Sequence, residues 1–110
     1  MPNRAPIFTD TFALCEWLLQ RLDREQGVLA RTICNTAVQL LEVITFALKD
    51  RRRDERLEEA DERLIALRMH LRLAGAIGLL DEQQVLFALE YADRIGRQLG
   101  GWQRARDTAY

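Results

Sequence analysis

Leu57, Ala60, Leu64, Leu67, Leu71 and Ala74 recur at intervals that alternate strictly between three and four residues, a spacing that returns to one side of an α-helix. A β-strand would send successive members to opposite faces, so only a helix gathers them. Apolar positions also return at helical spacing through Leu29, Ile33, Thr36, Ala37, Leu40, Val43, Ile44, Ala47 and Leu48, and through Val85, Ala88, Leu89, Ala92, Ile95 and Leu99. Near the N-terminus, Phe12, Cys15, Leu18, Leu19 and Leu22 also share a helical face. Four helices, each with an apolar stripe to bury, predict an all-α protein. Short turns between them make it an antiparallel, up-down-up-down four-helix bundle.

Punctuation residues set the expected boundaries. Pro2 and Pro6 break residues 1–8 into an N-terminal arm, and Thr9-Asp10-Thr11 offers caps for a first helix that reaches about Gln26. Gly27 is the expected end of that helix. The charged run Lys49-Asp50-Arg51-Arg52-Arg53-Asp54 is too polar to bury and forms the next turn. Acids crowd the start of the third helix, where they meet the positive end of its dipole. Gly75 and Gly78 close it, and Asp81 with Gln84 makes a capping box for the fourth. Gly100-Gly101 is the expected stop, which bounds the bundle at residues 9–102 and leaves 103–110 as a polar tail. A chain of 110 residues has room for one such core.

The third helix carries a second apolar stripe that the core does not need. Ile65, Met69, Leu73 and Ala76 lie nearly opposite the core stripe, where a single bundle would leave them in water. Contiguous apolar patches of that kind mark protein contacts. On the second helix the apolar arc spreads to Leu41, Cys34 and Val38 and leaves only a narrow polar strip of Arg31, Asn35, Glu42 and Lys49. Self-association through the second and third helices is the expectation, with Trp102 folding over the bundle end or into an interface. Gly96 inside the fourth helix costs about 1 kcal/mol relative to Ala, which points to a close approach by a neighbouring helix.

Chemistry is sparse. The chain has no Ser, and His70 is its only histidine, flanked by Arg68 and Arg72 where a solvated side chain is expected. Neither a multi-histidine metal centre nor an acid-base relay can be assembled from that set, so no metal, cofactor or enzymatic activity is expected. Cys15 and Cys34 sit in apolar helical stretches as reduced thiols, and no apolar run resembles a membrane span or a leader, so the cytoplasm is the expected location.

With a net charge of −1, no global field draws polyanions to the chain, and any nucleic-acid contact must be local. Lys49, Arg51, Arg52, Arg53 and Arg56 surround one turn, with a net charge of +2 over residues 49–56, and Arg94, Arg97, Arg104 and Arg106 gather at the end of the fourth helix. Arg68 and Arg72 stand beside the second apolar stripe. Symmetric repetition would turn such modest patches into a charged ring.

The stretch Leu71-Arg72-Leu73-Ala74-Gly75-Ala76-Ile77-Gly78-Leu79-Leu80-Asp81-Glu82-Gln83-Gln84 and the ending Ile95-Gly96-Arg97-Gln98-Leu99-Gly100-Gly101-Trp102 carry a family resemblance. They resemble the four-helix bundles encoded by intervening sequences of bacterial 23S ribosomal RNA genes, together with Avd-like accessory proteins of diversity-generating retroelements. The likeness is specific over residues 64–102 and looser over 29–50, where Leu40-Leu41-Glu42-Val43-Ile44 fits the second helix. It implies a ring-like homopentamer around a central channel, with positively charged surfaces that bind RNA or DNA and a reverse transcriptase. Avd-like proteins are strongly basic and this chain is slightly acidic. Two functions follow as expectations: a nucleic-acid-binding accessory oligomer, or a structural and protein-interaction oligomer that binds no nucleic acid.

Overall fold

The computed structural model describes residues 6–49 and 53–108, with the side chains of residues 53 and 105–108 outside the description. Four helices follow in order: α1 Pro6–Leu22, α2 Val28–Lys49, α3 Arg53–Ala76 and α4 Glu82–Thr108. Each packs against its neighbours in chain order, and α1 meets α4 to close a square; the backbones of the diagonal pairs make no close approach among the described residues. Gly75 against Val85, Arg68 against Asp93, and Leu64 against Gly96 fix the antiparallel register of α3 and α4.

The expected core stripe of α3 is buried in full, from Leu57 to Ala74. On α4, Ala88, Ala92, Ile95 and Leu99 are buried, while Val85 and Leu89 are half-buried at its edge. The face of α2 that turns inward runs Ala30, Ile33, Thr36, Ala37, Leu40, Val43, Ile44 and Ala47. By length and composition α2 is the one described helix apolar enough to cross a membrane, an exception to the expectation from the sequence. Most of its apolar side chains lie in the bundle core or pack against it, while Val28 and Phe46 are exposed.

α1 departs from expectation at both ends. It starts at Pro6, because proline suits the first helical position and an added turn buries Ile7 completely. Thr9, Asp10 and Thr11 therefore lie inside the helix; the buried Thr11 hydroxyl donates to the Ile7 carbonyl at 2.7 Å and so satisfies itself. The inward face is Ile7, Thr11, Leu14, Cys15, Leu18 and Leu22, which rotates Phe12 out of the core to 46% exposure. The helix ends at Leu22, and Gly27, with φ of +119°, begins α2 instead: its carbonyl accepts from Arg31 N at 3.4 Å.

Between α3 and α4 the turn follows the expected chemistry closely. Gly78 takes φ of +79°, Leu79 N donates to Ala74 O at 2.9 Å, and Gly78 N to Gly75 O at 3.3 Å, which is a Schellman closure. Gln84 N donates to Asp81 Oδ1 at 2.8 Å while Asp81 N donates to Gln84 Oε1 at 3.0 Å, completing the capping box.

α4 does not stop at Gly100-Gly101 but continues to Thr108. Trp102, one turn beyond Leu99, packs against the core, and that burial carries the helix through the glycines. The tail expected at residues 103–110 is thus helical as far as it is described.

Candidate functional site

The outer face of α3 stands as the spacing demanded. Ile65 is 60% exposed, Met69 59% and Leu73 48%, and Ala76 and Ile77 extend the line to the end of the helix. Ile65 and Met69 also line, with Arg68 and Arg72, a shallow hollow of about 310 Å³. None of the described residues covers these side chains, so a face of four large apolar residues, Ile65, Met69, Leu73 and Ile77, stands exposed.

Arg68 and Arg72 differ although they sit one turn apart. Arg68 Nη2 lies 2.8 Å from Asp93 Oδ1 and donates to the Ala92 carbonyl at 3.4 Å, while its Nε is buried without a partner. It is an α3–α4 clamp rather than a free cation. It also explains Gly96: the close approach is made by the Arg68 side chain, since a Cβ there would lie 2.9 Å from Nη2. Arg72 is exposed and makes no ion pair among the described residues, and Arg97 is the same. Arg104 is exposed and folds back over Gly100, where a Cβ would meet its Nη1 at 3.3 Å. Asp61, Arg68, Asp93, Arg97 and Arg104 line a cleft of about 460 Å³ between α3 and α4, with Gly96 and Gly100 beside them. Arg94 is spoken for as well, 3.9 Å from Asp10 and stacked on the Tyr91 ring at 4.2 Å.

Lys49 is exposed at the end of α2. Arg51 and Arg52 lie outside the described residues, and of Arg53 only its place at the start of α3 is described. The antiparallel register sets the start of α3 beside the last turns of α4, so that the described cations Lys49, Arg56, Arg97 and Arg104 share one end of the bundle.

The remaining candidates divide between the surface and the core. Val38 is 36% exposed and Leu41 is half-buried, and both line an apolar groove of about 330 Å³ together with Phe12, Cys15, Leu19, Glu16 and Gln20. The sequence reading missed this groove because it placed Phe12 and Leu19 in the core; the signal was Thr11, which can bury its hydroxyl against its own backbone. Trp102 contacts its own core. His70 is half-buried rather than solvated, with Nδ1 shielded and unpartnered, because position 70 lies beside Leu67 and Leu71 on the helix.

Both cysteines are free thiols, and burial, with Cys34 as a second cause for Cys15 and Asp23 for Cys34, raises each pKa above the usual thiol value. No group of three or more His, Cys, Asp or Glu that could hold a metal occurs among the described residues. A family model described as bAvd-like matches residues 9–106. No curated protein matches the chain.

Proposed function

The chain belongs to the bAvd-like family, and from that membership we propose that it is a non-enzymatic protein which works as a homo-oligomer, assembled through the outer face of α3. One observation carries this reading: Ile65, Met69, Leu73 and Ile77 are each close to half exposed or more on a single helix face. Large contiguous apolar surface of that kind is removed from water by association. A ring of five around a channel is the assembly the family resemblance suggests, and the cytoplasm its place of work.

A second reading adds nucleic acid, and the shared end of the bundle favours it. Lys49, Arg97 and Arg104 are exposed there, and Arg51 and Arg52 follow Lys49 closely in the sequence. Glu55, Glu58 and Glu62 sit on the adjoining turns of α3 and hold the local charge near balance. One copy alone therefore grips phosphate weakly, and affinity for RNA or DNA depends on several copies side by side. A reverse transcriptase is the protein partner this accessory reading implies.

Light scattering on the purified chain tests the first reading. A mass several times that of one chain is expected, and Met69→Glu reduces it to one chain without unfolding; a monomeric wild type overturns the proposal. Fluorescence anisotropy with single-stranded RNA across a salt series tests the second. Binding that weakens with a slope of about −0.7 per neutralised phosphate supports it. No binding at low salt leaves a structural and protein-interaction oligomer.

A further inference from the structure

Ile65, Met69 and Leu73 form an exposed apolar ridge on α3, with a shallow hollow on its Arg68 and Arg72 side, and on another side of the same chain the α1–α2 groove is concave and apolar. We propose that these are the two halves of one interface: the ridge of Ile65, Met69 and Leu73 seats in the groove of a second copy, between Phe12 and Leu19 on α1 and Val38 and Leu41 on α2. The inference rests on the reading that the chain self-associates and names the surfaces that meet.

Dimensions, surface chemistry and charge support the match. At 1.5 Å per residue the ridge from Ile65 to Leu73 is about 12 Å long and the groove wall from Phe12 to Leu19 about 10 Å. The groove exposes almost wholly apolar surface, with Glu16 and Gln20 at its edge. Glu16 is exposed and makes no ion pair among the described residues, and Arg72, beside the ridge, is in the same condition. Seating the ridge brings these opposite charges to the rim of one contact, where complementary charges fix register. The alternative, α3 against α3 of a second copy, lines one seam with arginines from both chains and leaves the groove in water.

Ridge and groove occupy different sides of the chain. A copy whose groove is filled still offers its own ridge, so the contact is head-to-tail and propagates until a ring closes.

Mixing two damaged chains tests this directly. Met69→Glu removes the ridge and leaves the groove; Phe12→Glu removes the groove and leaves the ridge. Both positions are exposed in the single chain, and circular dichroism checks that each variant folds; Val38→Glu serves as a second groove variant. Each variant alone is expected to be monomeric by light scattering, and an equimolar mixture to form a dimer and nothing larger. If both groove variants assemble like the wild type while Met69→Glu does not, the pairing is overturned and self-association stands. If the mixture stays monomeric, the pairing is likewise overturned. A wild type that is itself monomeric overturns self-association and this inference with it. For the register, Arg72→Glu is expected to weaken association about tenfold and Glu16→Arg to restore most of it; no recovery overturns the Arg72–Glu16 contact.

Discussion

Arg68 on α3 reaches across to Asp93 on α4, 2.8 Å from its carboxylate, and in doing so lies over Gly96 one turn further along. Glycine is tolerated in mid-helix there because the guanidinium occupies the space a side chain would take.

Gly96→Ala is expected to be neutral or to stabilise by up to about 1 kcal/mol, since helix propensity is gained and a half-exposed ion pair is worth little. The atom it meets is the far end of a flexible arginine. Gly75→Ala has the same propensity gain but meets Val85 Cγ2 at 3.0 Å, and valine is stiff, so this variant is expected to be the less stable of the two. Urea melts of both rank them; the reverse order would remove the steric argument.

At the α3–α4 turn, Gly78→Ala forces an L side chain into φ of +79°. About 1 kcal/mol is lost, and Asp81→Ala, which removes the cap on Gln84 N, costs a similar amount, about 1 kcal/mol. Thermal melts that leave either variant unchanged would show that the turn contributes nothing to stability.

Leu67 and Met69 separate folding from assembly. Leu67 is fully buried, so Leu67→Ala is expected to cost about 2–5 kcal/mol of stability. Met69→Glu, two residues on and mostly in water, is expected to leave single-chain stability nearly unchanged while abolishing association. Denaturant melts paired with light scattering read both effects on the same samples.

Cys15 and Cys34 predict an alkaline weakness. Burial raises both thiols above the usual value of 9.0, so the fold holds their protons more tightly than the unfolded chain does. Their contribution to stability is full below that value and is lost as pH rises through the folded values. A Cys15→Ala, Cys34→Ala double variant is expected to show a smaller fall in stability between pH 8 and pH 10 than the wild type. Equal falls in the two proteins would assign the loss to other groups.

The α3 core stripe, the capping box and the outer apolar face were legible because each depends on spacing within one helix, and all six stripe residues are buried. Phe12 was misread for an instructive reason. Ranking by apolarity sets phenylalanine inside and threonine outside, yet Thr11 satisfies its hydroxyl on the Ile7 carbonyl and takes the inward place. The glycine pair at 100 and 101 failed in the same way, since Trp102 packing against the core outweighs the local signal to stop. The α1–α2 groove could not be read from either helix alone, because its walls come from residues brought together only by tertiary packing. Nor does sequence spacing distinguish Arg68 from Arg72: the difference lies in Asp93, on another helix.

On the assembly proposed above, the exposed line from Ile65 to Ile77 would also tie the lifetime of the chain in a cell to its supply of partners. A copy left on its own is fully folded yet displays the sticky surface by which chaperones and proteases pick out damaged proteins. Surplus copies would then be cleared, and abundance would follow the number of covered faces as well as the rate of synthesis.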